Sequence, residues 1–331
     1  MIKAIYLINN KIKSEYDVIK ITEVYNNKNL NFIWIDINLE NHELSLEETR
    51  LLYNSLKFHE MAIEDCLFPQ YYPKIEEFTN YMFGAIHGIE LKPTYFNDFE
   101  DSIYELNFFF GKNFIVTVHT EELLFLETLF ENTKVKPLIT AKSIENMLYS
   151  IFNKVIYSYE LILDKIDDKL ECLEENILTN PESTTIEQIL NNKKVIFLLK
   201  KTAESQQAVY THFTRKNNNF ISKESLVYFR DTYIQYSRVY QSIIMRSQMV
   251  VNLLDVYMSS VTLRLTEIMK LLTIIATIVM PILIVSGYYG MNLSFPEYIF
   301  FGKENLWFFA VFLMLITIII MFIYFKRKKW L

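Results

Sequence analysis

The sequence predicts an α/β domain followed by long helices and a C-terminal hairpin of two transmembrane helices. Three observations carry that expectation. Short β-rich runs alternate with helical stretches up to about Thr140, long segments without internal glycine or proline follow, and two uncharged apolar stretches, Leu271–Tyr289 and Leu306–Phe325, lie near the C-terminus. The expected divisions are residues 1–140 for a cytosolic α/β domain, 141–221 for a helical hairpin region, and 222–290 for a stalk helix that enters the membrane near residue 271. Residues 291–304 form an external loop, 305–325 a second span, and 326–331 a basic cytosolic tail.

In the first division the runs Ala4–Ile8, Phe32–Ile37, Tyr81–Ile89, Ile103–Phe110 and Phe114–His119 are rich in β-branched and aromatic residues, which suit a pleated, half-buried surface. Gly111-Lys112-Asn113 separates two of them and predicts that Tyr104–Phe110 and Phe114–Val118 pair as antiparallel strands. A helix start is marked by Ser45, followed by Glu47 and Glu48 and then Leu51, Leu52 and Leu56. The hydroxyl accepts from a free backbone amide, and the carboxylates sit at the positive end of the helix dipole.

Two long segments, Ser143–Leu178 and Ser183 to about Lys216, are separated by Pro181, and Asn217-Asn218-Asn219 ends the second. A third begins near Ser222 and meets no breaker before Pro281, inside the first apolar stretch, so one helix is expected to join the soluble region to the membrane. Along it Leu226, Tyr233, Tyr240, Leu254, Val261 and Ile268 share one heptad position. Phe229, Tyr236, Ile243, Val250, Tyr257 and Leu271 share the other, and only Ser247 and Arg264 interrupt the series. Such a seam needs partner helices; the two preceding helices of the chain and copies of the same helix about an axis both qualify.

Each apolar stretch is about 20 residues, enough at about 1.5 Å per residue to cross a hydrocarbon core of roughly 30 Å. Between Lys270 and Lys303 the one charge is Glu297. Lys270 precedes the first span and Lys326-Arg327-Lys328-Lys329 follows the second, which places both termini in the cytoplasm of a multi-pass plasma-membrane protein. The opening MIKAIYLINN has no apolar core of signal-peptide length, and Cys66 and Cys172 suit reduced thiols in a cytosolic portion.

The net charge of -6 argues against a nucleic-acid partner; an acidic surface serves solubility and is also compatible with cations approaching from inside. His42, His59, His87, His119 and His212 are scattered, with no HExxH, no paired Cys-x-x-Cys and no glycine-rich nucleotide loop. No catalytic centre is visible, and the protein is not expected to be an enzyme.

The stretch Met269-Lys270-Leu271-Leu272-Thr273-Ile274-Ile275-Ala276-Thr277-Ile278-Val279-Met280-Pro281, followed by Gly287-Tyr288-Tyr289-Gly290-Met291-Asn292, resembles the signature of the CorA family of magnesium transporters. The tail Phe325–Leu331 is similar to that family's tail. So are Ala62-Ile63-Glu64-Asp65-Cys66, Pro73–Glu77, Tyr81-Met82-Phe83, Tyr228-Phe229-Arg230-Asp231 and Leu254-Asp255-Val256-Tyr257, in the same order. A lone Gly-Met-Asn is weak; its place at the outer end of the penultimate span gives it weight. The resemblance covers most of the chain and implies a funnel-shaped homopentamer in the lipid bilayer, with five first spans lining a pore and the second spans outside them. It implies Mg2+ as cargo, driven inward by the membrane potential, with Co2+ or Ni2+ also carried. A zinc or broader divalent-cation transporter of the same architecture is the alternative, and a membrane-anchored sensor or enzyme a distant one.

On that resemblance Gly290, Met291 and Asn292 form the selectivity filter. Magnesium holds its waters at about 2.1 Å and dehydrates reluctantly, so a ring of Asn292 amide oxygens is expected to accept hydrogen bonds from the hydrated ion. Gly290 lets the backbone approach or turn closely, and Met291 packs. Thr266, Met269, Leu272, Thr273, Thr277, Met280 and Leu283 are the pore-lining candidates. Thr273, Thr277 and Ser286 either offer hydroxyls to the lumen or bond back to their own helix. Met280 and Leu272 either constrict the pore or pack between helices. Leu283 and Thr266 depart from the side chains that the family commonly carries at their positions, which makes the narrow part drier.

The resemblance also implies regulatory Mg2+ between cytosolic domains, with Asp231 on the stalk side and Asp98, Glu100 or Asp101 of a neighbour opposite. Asp255 at the inner mouth gathers ions or is simply solvated, and Glu297 in the outer loop concentrates cations. The run Asp164, Asp167, Asp168, Glu171, Glu174 and Glu175 either attracts metal ions or is a solvated helix face. The spans contain no Asp, Glu or Lys to relay protons, and at roughly 100 mV a divalent cation gains about twice 2.3 kcal/mol on entry.

Overall fold

The computed structural model describes residues 1–9, 11–39, 43–68, 72–90, 99–135, 143–179, 183–216, 218–291 and 305–330. It divides into two compact units, Met1–Asn176 with Glu182–Leu254, and Ile177–Pro181 with Asp255–Leu331. Among the described residues the first unit holds seven strands: β1 (Ile2–Ile8), β2 (Lys11–Glu15), β3 (Leu30–Asn38), β4 (Lys74–Glu77), β5 (Tyr81–Ile89), β6 (Ile103–Gly111) and β7 (Phe114–His119). They form one sheet in the order β2-β1-β3-β7-β6-β5-β4. The central β3–β7 pair is parallel, and the other pairs are antiparallel. The β6–β7 hairpin sets Asn107 opposite Val118 and Phe110 opposite Ile115, as the glycine-bearing turn predicts.

The two edge strands, KIKSE and KIEE, are polar and carry lysine, a composition that blunts an exposed edge against further pairing. One face of the sheet packs Ile33, Ile35, Ile37, Val116, Val118 and Phe109 against α1 (Val18–Tyr25), α2 (Leu46–Thr49) and α3 (Glu60–Leu67). Helix α2 starts on a full capping box in which Ser45 and Glu48 bond each other's backbone amides, and it continues as a wider π-type turn over Arg50–Ser55. The opposite face is covered by α4 (Leu124–Val135), whose Phe130 stands edge-on to Trp34 at 5.6 Å, and by long helices carrying Phe152 and Phe213 onto Phe108. Gly84 is required there, because a Cβ would lie 2.4 Å from the Phe108 ring.

Those helices are α5 (Ile144–Thr179), α6 (Ser183–Phe213) and α7 (Leu226–Gly290). They interlock through two aromatic tiers, Phe152, Phe213 and Phe229 in one and Tyr159, Tyr210 and Tyr236 in the other. Within α5 and α7 the tiers are seven residues apart, two turns of helix, so each helix adds one ring to each tier. The second heptad set is thus the buried stripe: Phe229, Tyr236, Ile243, Val250 and Tyr257 are each at most 8% exposed. It packs on the chain's own preceding helices, while Tyr233, Tyr240, Leu254 and Val261 of the first set remain half-buried.

β5 outruns its partner β4, whose register stops at Lys74 opposite Ala85. The polar backbone beyond is satisfied by helix side chains: the His87 amide donates to Gln206 at 2.7 Å, the Ile89 amide to Ser158 at 3.0 Å, and Tyr159 donates to the His87 carbonyl at 3.2 Å. Buried backbone groups left unpaired would cost as much as a lost hydrogen bond, so these contacts fix α5 and α6 on the sheet.

A buried ionic network sits on the α4 face. Thr117 donates to Asp36 at 2.5 Å and accepts from Trp34 at 2.9 Å, while His119 Nε2 and Lys3 Nζ each lie 3.3 Å from the Asp36 carboxylate. Burial opposes ionisation of Asp36, but the His119 hydrogen bond and charge, the Thr117 bond and the Lys3 cation outweigh it and hold the carboxyl below its ordinary range. A carboxyl depressed on folding stabilises the fold above its unfolded pKa of about 3.9, and that contribution is lost as pH falls through the lower folded value. Asp36→Asn is therefore expected to cost about 3 kcal/mol at neutral pH. In denaturant titrations of the full protein the gap from wild type should narrow below about pH 4; an equal gap at neutral and acid pH would contradict this assignment.

Candidate functional site

In the second unit α7 runs on as one helix through Pro281 to Gly290, and α8 (Leu306–Arg327) follows. The most apolar 18-residue windows of α7 and α8 have mean hydropathies of 2.5 and 2.9, yet only 6% and 11% of them is buried within the chain. A soluble core helix of that composition would be covered. These two surfaces require lipid or further helices, by length and composition those of candidate membrane spans.

Along this part of α7 covered or half-covered residues, Ile274, Thr277, Ile278, Pro281, Ile282 and Val285, recur at three- and four-residue spacings. Of the pore-lining candidates, Thr266, Met269, Leu272, Thr273, Met280 and Leu283 are exposed, and Thr277 is half-exposed at the margin of the covered stripe. The hydroxyls of Thr266, Thr273 and Thr277 each donate to the carbonyl four residues earlier, at 2.8, 2.8 and 2.6 Å, and Ser286 donates to Leu283 at 3.1 Å. Of the two roles expected for Thr273, Thr277 and Ser286, bonding back to the helix is present. It occupies the hydroxyl proton and leaves the oxygen free to accept.

Gly290 closes the helix with open space where a Cβ would stand. Among the described residues nothing crowds that position. Met291 is 48% exposed, its amide 3.4 Å from the Tyr288 carbonyl. Asn292, Glu297, Glu304 and Asp98 lie outside the described residues. Glu100 and Asp101 fall on a short turn of 3-10 helix, Phe99–Ser102, with their side chains outside the description.

Asp231 is exposed on α7 in the first unit and accepts from Gln235 at 2.7 Å; Asp255 is exposed in the second. Of the acidic run on α5, Asp164, Asp168, Glu171, Glu174 and Glu175 are exposed and Asp167 is ion-paired with Arg246. That pair joins residues 79 apart in sequence, and no local pattern announces it. Among the described residues no three His, Cys, Asp or Glu side chains converge on a metal position. The carboxylates are hard oxygen donors of the kind Mg2+ takes, but a complete ligand set needs groups beyond those described.

Sequence reasoning also missed how the chain closes. Lys270 Nζ donates to the Lys329 carbonyl at 3.3 Å, which ties the residue before the first apolar stretch to the backbone after the second.

The profile of the family described as CorA-like Mg2+ transporter protein matches residues 29–327. The cobalt/magnesium transport protein CorA of Thermotoga maritima is 33% identical over 277 residues, 82% of this chain and 77% of that one. The protein of the same description from Methanocaldococcus jannaschii is 27% identical over 237 residues, 70% and 74% of the two chains. In structure, the complete CorA magnesium transporter from Methanocaldococcus jannaschii superposes with a TM-score of 0.81 at 21% identity, covering 100% of this chain and 99% of that one. It has the same fold of an α/β domain, a long helix and two C-terminal apolar helices. By extent of match and identity, the chain belongs to the CorA family of Mg2+ transporters.

Proposed function

We propose that the chain is one subunit of a homopentameric, plasma-membrane Mg2+ channel, with both termini cytoplasmic, that admits the ion down the membrane potential and is gated by internal Mg2+. The observation that carries this is the long exposed face of α7 from Thr266 to Leu283, apolar yet threonine-bearing, in a helix with no charge from Leu271 to Gly290. Two apolar helices cannot enclose an aqueous path alone; copies of α7 about an axis can, and they cover that face.

Ion passage in this scheme relies on neutral oxygens. Thr273 and Thr277, their protons already engaged in the helix, present lone pairs to the water hydrogens of a hydrated ion, and Asn292 presents its amide oxygen at the mouth. Leu272 and Met280, exposed on the same side, form apolar constrictions that close by excluding water. Glu297 draws cations to the outer loop and Asp255 to the inner mouth.

For regulation, bound Mg2+ supplies positive charge between carboxylates of neighbouring subunits. Asp231, exposed and bonded among the described residues to the Gln235 amide, faces Asp98, Glu100 or Asp101 of the next copy. Unbridged, each pair repels by about 1 to 4 kcal/mol at 4 Å, which loosens the ring when internal Mg2+ is low. The relatives named for cobalt and magnesium support Co2+ as further cargo.

In proteoliposomes holding an inside-negative potential, Mg2+ influx should be fast with low internal Mg2+ and suppressed as internal Mg2+ rises; no influx, or influx of Zn2+ alone among Mg2+, Co2+, Ni2+ and Zn2+, would sink this function. Asn292→Ala should abolish influx with assembly intact. Asp231→Lys should remove both the feedback inhibition and the protection that Mg2+ gives against proteolysis, and unchanged behaviour would overturn the gating role.

A further inference from the structure

We propose that Lys270 at the start of the first span and Lys326, Arg327, Lys328, Lys329 and Trp330 at the end of the second form a binding site for the phosphate of an anionic phospholipid headgroup. This rests on α7 and α8 crossing a membrane. The C-terminus of α8 is built, not frayed. The Trp330 amide donates to the Phe325 carbonyl at 3.0 Å and the Lys329 amide to the Lys326 carbonyl at 3.2 Å, the paired bonds of a Schellman cap. Lys329 holds the left-handed position at φ 55 that glycine usually takes, a strain accepted for a cation. Trp330 stacks on the buried Phe325 with ring centres 5.8 Å apart, while 38% of its own surface stays exposed. Lys270, from the other helix, donates to the carbonyl of Lys329.

Two consequences follow for a ligand. Five cations are gathered at one end of the unit, and among the described residues none has a carboxylate partner. The carbonyls of Phe325, Lys326 and Lys329, which would otherwise repel an anion at a helix C-terminus, are already hydrogen-bonded. The site lies where a span ends and headgroups begin, and an exposed tryptophan is the residue that settles at that level. Each lysine or arginine close to an anionic surface strengthens attraction by about fivefold.

The test is retention of lipid by the full protein in mixed micelles of phosphatidylglycerol and phosphatidylcholine, counted by native mass spectrometry. The wild type should prefer phosphatidylglycerol by about tenfold or more, and Lys270→Gln should weaken that by about fivefold. Lys329→Gly should weaken it by a similar factor with wild-type thermal unfolding, because glycine keeps the cap and loses the charge. Equal retention of the two lipids, or a preference untouched by both substitutions, would overturn the proposal. Displacement of phosphatidylglycerol by millimolar inorganic phosphate would also overturn it, by showing a site for free phosphate. Flux is not read here: retained lipid preference in a protein that passes no Mg2+ would contradict the proposed function and leave this site standing.

Discussion

The structure depends on one helix whose surface changes character along its length. Up to Tyr257 one stripe of α7 is buried within the chain, and at Phe229 and Tyr236 it is matched ring for ring by α5 and α6. Beyond Asp255 the described residues hold one further long helix, and among them most of the apolar surface of that part of α7 has no partner. An apolar surface of this extent is not stable against water. The proposed membrane insertion and the proposed oligomer answer the same shortage of cover.

The fixed part of the molecule is correspondingly well determined. Gln206, Ser158 and Tyr159 complete the backbone bonding of β5 where β4 ends, and burial pushes the phenols of Tyr159, Tyr210 and Tyr236 upward, so all three stay neutral within the bundle. Asp36 is the one fully buried carboxylate of the sheet among the described residues, held charged by His119, Thr117 and Lys3. On α7 beyond Asp255 the hydroxyls of Thr266, Thr273 and Thr277 are instead committed to their own helix, and their oxygens remain able to accept.

Much of this was legible from residues. The five apolar runs became the inner strands because β-branched and aromatic positions repeat where both sheet faces are covered, and Pro181 and the asparagine triplet bounded the long helices because nothing else interrupts them. β2 and β4 were not legible, since edge strands carry lysine and glutamate in place of the alternating apolar signal. The heptad pattern gave both stripes of α7 equal weight; only packing distinguishes the buried one. At the site, composition marked the two candidate spans and the family resemblance suggested the pore-lining residues, but the Arg246–Asp167 pair and the Lys270–Lys329 contact depend on chain segments far apart in sequence. The α8 cap was hidden because lysine stands where a glycine would have signalled it.

The central claim, that copies of α7 cover one another along the Thr266–Leu283 face, is tested most directly by cysteine cross-linking of the Met280→Cys variant in native-like bilayers, with Cys66 and Cys172 replaced by serine. The account predicts disulfide-linked dimers between copies and, with Thr273→Cys added, a ladder of products ending at five subunits. Exclusively monomeric product, with the thiol introduced on α7 modified as readily by a lipid-soluble reagent as one placed on α8 by Ile320→Cys, would contradict it.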